Sequence, residues 1–140
     1  GFLQFGLPSQ LHASVAYALL SSRLAFWLWH VTGDGFHVTQ SFERRLPVPS
    51  IDVEQMERLA DIGDRLWKTA LQNPQVSVNR GRVSVAYPTW TQTELIDAID
   101  DEYGAALGMD YRERLAEWHE KLVVVDVDSA RRDLIRRKTQ

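Results

Sequence analysis

Three side chains of the kinds that bind metal ions lie close together in the sequence: His30, Asp34 and His37. Their spacing of i, i+4 and i+7 would place them on one face of a continuous helix, where they could bind a divalent metal. Gly33 and Gly35 fall inside this interval, and glycines so placed usually end a helix. We therefore predict no metal site, and we interpret Gly33, Asp34 and Gly35 as a turn.

Asp34 and His37 could also act as an acid–base pair, which would require a nucleophile or a second carboxylate. No such residue stands at an informative spacing, and phosphate-loop, zinc-protease and nuclease motifs are missing. A small hydrolase would further need a pocket in which both groups converge. We predict that this chain is itself not catalytic.

Polar and cationic residues follow the Gly-Asp-Gly turn and recur around a later glycine. Cationic and hydroxyl side chains donate hydrogen bonds to phosphates, whereas amides and guanidinium groups recognise base edges. The two groups are the candidate residues of a nucleic-acid-binding surface, though a weak signal in isolation: His37, Thr39, Gln40, Arg44, Arg45, Arg80 and Arg82.

The overall charge limits such a surface. The net charge is -3 and the pI is about 5.8, below the value typical of dedicated nucleic-acid-binding domains. Eleven of the 19 acidic residues lie between Glu94 and Asp128, so we expect that part to face away from phosphate. The stretch from Arg131 to Lys138 is basic. Such a surface should therefore be local, part of a larger protein, or absent.

Composition also bears on the compartment. Cysteine is absent, which excludes disulfides, thiolate nucleophiles and cysteine-bound zinc. The apolar run from Leu24 to Trp29 is far shorter than the roughly 18 residues of a membrane-spanning helix. We expect a soluble, cytoplasmic protein with no membrane partner. Because Phe2 to Phe5 resembles the interior of an element, we also expect the chain to be a fragment.

Hydrophobic periodicity in the first part of the chain predicts helices. Ser9 is a plausible N-cap of the first helix, and Ser21 or Ser22 caps a second that runs through Trp29. After the turn, residues 36–39 alternate as a short strand would.

The middle of the chain has the clearest local signals. Asp52 and Gln55 form a capping box that opens a long amphipathic helix, whose apolar stripe places Trp67 in the core. Residues 76–78 and 83–85 alternate around a glycine and predict a β-hairpin.

The later part predicts further helices. Thr91 and Glu94 form a second capping box, and the helix that follows should stop at Gly108. Another helix should end near Lys121, and the β-branched residues 122–127 predict a strand or an extended connection. The predicted fold class is therefore α+β, a helix-rich single domain with short strands and a small hairpin.

A family resemblance begins in residues 18–66, ALLSSRLAFWLWHVTGDGFHVTQSFERRLPVPSIDVEQMERLADIGDRL. With its Leu-Ser-Ser-x-Leu run, aromatics, Gly/Asp turn and Leu-Pro-x-Pro before a long helix, it resembles the C-terminal region of adenine-N6 DNA methyltransferases of restriction–modification systems. The stretch ELIDAIDDEYGAAL, with Tyr103 and Gly104, resembles their closing helix. Together these stretches cover about two-thirds of the chain.

The resemblance implies a single C-terminal, TaqI-like specificity domain over residues 1–140, part of a longer methyltransferase, that reads or clamps double-stranded DNA. A separate N-terminal methyltransferase domain of the parent would bind S-adenosylmethionine and methylate adenine. The family's catalytic Asn/Asp-Pro-Pro-Tyr/Phe motif and glycine-rich cofactor motif are missing here. This chain should therefore bind no cofactor itself.

A second function stays open. Exposed aromatics and acidic helices could form a helical protein-interaction module that docks on a partner, or on the catalytic domain, without touching DNA. The acidic second half of the chain is consistent with this alternative. Salt-dependent affinity for DNA distinguishes the two functions.

Overall fold

The computed structural model describes residues 6–33 and 37–122. This part of the chain is a helix-rich α+β domain with one antiparallel hairpin, as the sequence predicts. Its elements are α1 (Gln10–Leu20), α2 (Arg23–Thr32), α3 (Gln40–Arg45), α4 (Val53–Gln72), β1 (Gln75–Asn79), β2 (Arg82–Ala86) and α5 (Thr93–Leu107). Residues 112–122 are also helical and are called α6.

Helices α1 and α4 pack closely at the centre of the fold. Their close approach requires Gly63 of α4, because a Cβ atom there would clash with the backbone carbonyl oxygen of Ser14 in α1. The Ser14 hydroxyl in turn donates a hydrogen bond to the carboxylate of Asp64. A glycine and a small polar residue thus set the distance between the two largest packing surfaces.

Local capping chemistry begins three of the helices as predicted. The Ser9 hydroxyl accepts from a backbone N–H of α1, and the Ser22 hydroxyl accepts from one of α2. Asp52 and Gln55 form the predicted capping box of α4. Gly108 ends α5 with a φ of 68°, in the left-handed region that favours glycine.

The second predicted capping box is wrong. The N-cap of α5 is Gln92, and it makes no side-chain capping bond. The backbone N–H of Gln92 bonds to the carbonyl of Thr89, which closes a turn that contains Thr91. This turn moves the start of the helix one residue beyond the position that the spacing of Thr91 and Glu94 indicates.

The core combines buried faces of the main helices with side chains from the connections. Trp67 is not part of it: its side chain is 48% exposed, so its predicted burial is wrong. Its indole packs edge-on against the Tyr17 ring, with the ring centroids 5.4 Å apart, at the rim of the α1–α4 contact. The buried apolar residues are Val15, Ala18, Leu19, Leu24, Ala25, Phe42, Leu46, Leu59, Ala60, Ile62, Leu66, Ala70, Ile96, Ile99, Tyr103 and Tyr111.

The predicted strand after the turn is also wrong. Residues 37–39 have no regular secondary structure, and α3 follows them directly. The cause is tertiary, because Phe42 and Leu46 are both buried and the Leu46 N–H bonds to the Phe42 carbonyl across one helical turn. Asp34, Gly35 and Phe36, the predicted strand beyond Leu122 and the basic stretch from Arg131 lie outside the described residues.

Candidate nucleic-acid interface

The hairpin is the most exposed regular element of the domain. Strands β1 and β2 pair antiparallel in a two-stranded sheet, and every residue of both strands is exposed. They are joined by a two-residue turn in which Arg80 and Gly81 have φ values of 50° and 78°. Two positive φ values are typical of the type I′ turn that matches the twist of a hairpin. The predicted hairpin is confirmed.

Arg80 is the only non-glycine residue with positive φ in the described part of the chain. A left-handed conformation costs an ordinary L-residue roughly 1–2 kcal/mol, and Asn or Gly would fill this turn position with less strain. Strain of this kind often accompanies a functional residue. The turn therefore holds a guanidinium at the tip of the hairpin in place of a residue better suited to its backbone.

The two faces of the hairpin differ in chemistry. Residues directly opposite one another in an antiparallel pair share a face, and the side chains alternate between faces along each strand. One face carries two pairs of valines with exposed fractions of 50–69%, Val76 with Val85 and Val78 with Val83. The other face is mostly polar and pairs Gln75 with Ala86, Ser77 with Ser84 and Asn79 with Arg82.

The hairpin lies inside a long stretch without acidic residues. Residues 65–93 contain no aspartate or glutamate, whereas the chain as a whole has 19. The stretch covers the second half of α4, the hairpin and the start of α5. Its cations are Arg65, Lys68, Arg80 and Arg82. Because the basic residues were considered in pairs above, this acid-free stretch was not part of the prediction from the sequence. The absence of aspartate and glutamate over residues 65–93 is visible in the sequence alone.

A polar cleft of about 600 Å³ lies between α4 and the start of α5, formed mostly by this stretch but also by the acidic residue Glu94 just beyond it. Sequence reasoning did not find it, because its two walls, residues 65–72 and 91–95, are separated in the chain by the whole hairpin. Arg65 is 3.9 Å from Asp61, a distant pair on an exposed helix surface. The cleft is lined by Arg65, Lys68, Thr69, Gln72, Thr91, Gln92, Thr93, Glu94 and Leu95.

Three residues of the first predicted DNA-binding group meet in a smaller cleft. His37, Thr39 and Arg45 line a space of about 250 Å³ beside the end of α2. The Trp29 indole N–H donates to the His37 carbonyl at 3.0 Å, and the Arg45 guanidinium donates to the Thr32 carbonyl at 3.4 Å. These bonds tie the connection after α2 to the end of that helix.

The remaining predicted residues are distributed over several elements. Arg44 is exposed on α3, which begins at Gln40, and Gly33 is the C-cap residue of α2. Arg80 and Arg82 lie on the hairpin, and among the described residues no hairpin residue lines the cleft beside α2. The two predicted groups therefore belong to separate features of the surface.

A buried polar network that the sequence did not reveal fixes α2 against α5. The Arg23 guanidinium contacts Asp100 at 2.9 Å and Asp97 at 2.6 Å, and the Tyr111 hydroxyl donates to Asp100 at 2.8 Å. Burial raises the pKa of the Asp100 carboxyl, and the hydrogen bonds from Tyr111 and Arg23 oppose this change. Burial, together with the Asp100 charge, also raises the pKa of Tyr111. The network is structural, because its carboxylate and hydroxyl groups bond to one another and to Arg23 inside the fold, although the buried Arg23 Nε has no hydrogen-bond partner among the described residues.

Aromatic rings join α2 to α6 nearby. The Phe26 ring lies 5.0 Å from the His119 ring in an edge-on arrangement, and 5.7 Å from Trp118. The ring centroids of His30 and Trp118 are also 5.7 Å apart. Burial, reinforced by the Arg23 charge, lowers the pKa of His119. These aromatics of α2 therefore contact a neighbouring helix instead of forming a free surface patch.

Comparison with protein-family models, curated proteins and solved structures yields no match. Within the described residues no group of three or more His, Asp or Glu could hold a metal ion, and Asp34 of the trio considered above lies outside them. No described helix is long and apolar enough to cross a membrane. The strongest candidate site is therefore the exposed, acid-free hairpin with its two arginines.

Proposed function

We propose that the domain is the non-catalytic DNA target-recognition or DNA-clamping part of a restriction–modification adenine-N6 DNA methyltransferase. The assignment of the domain to such a parent enzyme rests on the family resemblance described above. The observation that carries DNA contact is the exposed hairpin, which presents Arg80 and Arg82 within a stretch free of carboxylates. Cations without neighbouring acids attract the phosphate backbone and release its counterions on binding.

The acidic second half of the chain is compatible with this proposal because many of its carboxylates pair with cations of the domain. The Arg112 guanidinium is 2.7 Å from Asp101, and that of Arg58 is 2.9 Å from Glu102. Arg23 binds the carboxylate of Asp97 in the same way. These pairs neutralise acids on and near α5, whereas the hairpin arginines make no ion pair within 4 Å to a described residue.

Salt-dependent DNA binding tests the proposal. The fluorescence anisotropy of a labelled duplex would be measured with the 140-residue chain across a series of salt concentrations. Each cation lost from the bound surface flattens the slope of log affinity against log salt by about 0.9, whether it lies against a phosphate or in the groove, so Arg80→Gln with Arg82→Gln should flatten it by roughly two. Arg114→Gln, an exposed cation on acid-rich α6, is the matched control and should leave the slope unchanged. Equal slopes in the double variant and the control would contradict the proposal.

One observation favours the second function, a protein-interaction module. The valine face of the hairpin is apolar and exposed, and so is a groove of about 310 Å³ along α1. Leu7, Leu20 and Val48 are exposed residues of that groove. A surface of this kind fits the catalytic domain of the parent or another protein. Failure of the wild-type chain to bind duplex DNA at low salt would favour this module over the DNA-contacting domain.

A further inference from the structure

We infer that the hairpin enters the major groove of duplex DNA as a two-stranded β-ribbon and reads base edges with its polar face. This inference rests on the proposed function and specifies how it is carried out. The recognition surface consists of Gln75, Ser77, Asn79, Arg82 and Ser84. Only one of these five residues was expected to contact DNA from the sequence.

The size of the hairpin fits the groove. The described sheet has only two strands, and both of its faces are exposed. The major groove is about 12 Å wide and admits such a ribbon, whereas the minor groove, at about 6 Å, is too narrow. With five residues per strand, the ribbon is roughly 16 Å long.

The spacing of the polar side chains matches the spacing of base pairs. Side chains on one face of a strand recur about every 6.6 Å, close to the roughly 6.8 Å rise of two base pairs. The three cross-strand rows can therefore reach the edges of different base pairs along the groove. The rows are Gln75 with Ala86, Ser77 with Ser84, and Asn79 with Arg82.

The side chains on this face are those that distinguish bases in the major groove. Glutamine and asparagine can each form two hydrogen bonds with adenine, and arginine forms two with O6 and N7 of guanine. Serine accepts or donates as the base requires. The face carries no carboxylate that would repel the phosphates on either side of the groove.

The opposite face cannot take this role. Four valines directed at base edges would remove water from donors and acceptors without replacing their hydrogen bonds, which is unfavourable. With the polar face toward the bases, the valines point out of the groove, where a protein surface can cover them. The two exposed faces of the hairpin can thus serve two different partners at once.

Substitution of Arg82 tests the inference most directly. Lysine keeps the positive charge but loses the planar fork that binds guanine through two hydrogen bonds. Binding and sequencing from a library of randomised duplexes, with the 140-residue chain as the binding protein, would measure base preference. Arg82→Lys should retain the salt slope and lose preference at one position, by about 5- to 150-fold. Asn79→Ala and Gln75→Ala should each lose preference at other positions without changing the slope.

The valine face offers the matched control. Val76→Thr with Val85→Thr alters one cross-strand pair on the opposite face of the hairpin. This double variant should leave base preference unchanged. Because all the altered positions are exposed, each variant should retain the helical circular dichroism of the parent chain. A variant that loses this signal is replaced by Ser84→Ala, a second substitution on the polar face.

Base analogues identify the groove. 7-Deazaguanine lacks the N7 acceptor in the major groove, and hypoxanthine lacks the amino group of guanine in the minor groove. At the guanine that Arg82 prefers, 7-deazaguanine should lower affinity by at least about fivefold, and hypoxanthine should leave it unchanged. The reverse result would overturn the inference.

The outcomes separate the two proposals. Salt-dependent DNA binding with unchanged base preference in the Arg82→Lys, Asn79→Ala and Gln75→Ala variants would overturn the β-ribbon inference and leave the DNA-contacting function in place. No binding of any duplex by the wild-type chain at low salt would overturn both. Loss of base preference in the valine variant alone would assign recognition to the other face and overturn the inference.

Discussion

At the scale of single residues, backbone conformation and close contact decide which side chains can be exchanged. Arg80 occupies a left-handed position that suits asparagine or glycine, and Gly63 occupies a helix position that tolerates no Cβ. The first places a charge where the backbone is strained, and the second brings two helices together. Under the proposed function Arg80 contributes to DNA binding, whereas Gly63 contributes to folding.

Arg80→Asn should stabilise the hairpin and weaken DNA binding. Asparagine adopts the left-handed region more readily, so the hairpin should gain about 0.5–1 kcal/mol. Amide hydrogen exchange in β1 and β2 should slow by about two- to fivefold, while the salt slope of DNA binding flattens by about 0.9. Arg82→Asn, outside the turn, serves as the control for the exchange rates. Unchanged exchange in Arg80→Asn would show that the turn stores no strain.

Gly63→Ala should destabilise the whole domain. The added Cβ would meet the carbonyl oxygen of Ser14, which belongs to a rigid helix, so α1 and α4 must separate. Overpacking of this kind costs about 1–3 kcal/mol, measurable by urea unfolding. Gly6→Ala is the matched control, because nothing lies within 4 Å of its added Cβ. Equal unfolding midpoints for both variants would contradict the assigned contact.

At the scale of elements, α2, α5 and α6 are joined by polar and aromatic contacts. Asp100 accepts hydrogen bonds from the Arg23 backbone, the Arg23 guanidinium and Tyr111. His119 packs on Phe26 close enough to Arg23 for its charge to matter. The stability of the packing between these helices should therefore change both with mutation of these residues and with pH.

Asp100→Asn should be strongly destabilising. It leaves the buried Arg23 guanidinium with only the partly exposed Asp97 as counter-ion, and breaking a buried pair typically costs about 3–5 kcal/mol. Glu117→Gln is the control, since its pair with Lys121 is solvent-exposed and such pairs contribute little to stability. Chemical denaturation of both variants checks the difference. A loss below about 1 kcal/mol for Asp100→Asn would show that this pair does not hold α2 to α5.

His119 should make stability pH-dependent. Its pKa is lowered in the folded state, so the unfolded chain binds the proton more tightly. The stabilisation is complete above the unfolded pKa of about 6.5 and is lost as pH falls below it. The nearby charges are Arg23, which strengthens the effect, and Glu120, which opposes it. Between pH 7.5 and pH 5.5, His119→Gln should lose less stability than the parent chain.

Local signals in the sequence predicted the elements better than their packing. The hairpin and the caps at Ser9 and Asp52 depend on residues within a few positions of each other, so their spacing was sufficient. Trp67 and residues 36–39 were assigned wrongly because burial depends on distant partners. The α4–α5 cleft and the Arg23–Asp100 pair join residues far apart in the chain, and no local pattern reports them.

At the scale of the whole molecule, charge is segregated more clearly than the net value of -3 suggests. Within the described part of the chain, four of the five acidic residues of α5 are paired with arginines of the domain, all but Glu94, whereas the charged residues of 65–93 are all cations. The hairpin and the α4–α5 cleft share this stretch. If the hairpin lies in the major groove, we expect Arg65 and Lys68 of the cleft to contact phosphates of the flanking backbone, although Glu94 also lines the cleft.

Neutralising the cleft should therefore weaken DNA binding without changing what is recognised. Arg65→Gln with Lys68→Gln should flatten the slope of log affinity against log salt by roughly two, because phosphate contacts carry no base information. Base preference, measured with the same randomised library, should match that of the wild-type chain. The Arg82→Lys variant should show the opposite pattern, an unchanged slope with altered preference. A cleft variant that keeps the full slope would restrict DNA contact to the hairpin, since Arg65 and Lys68 would then lie outside the bound surface.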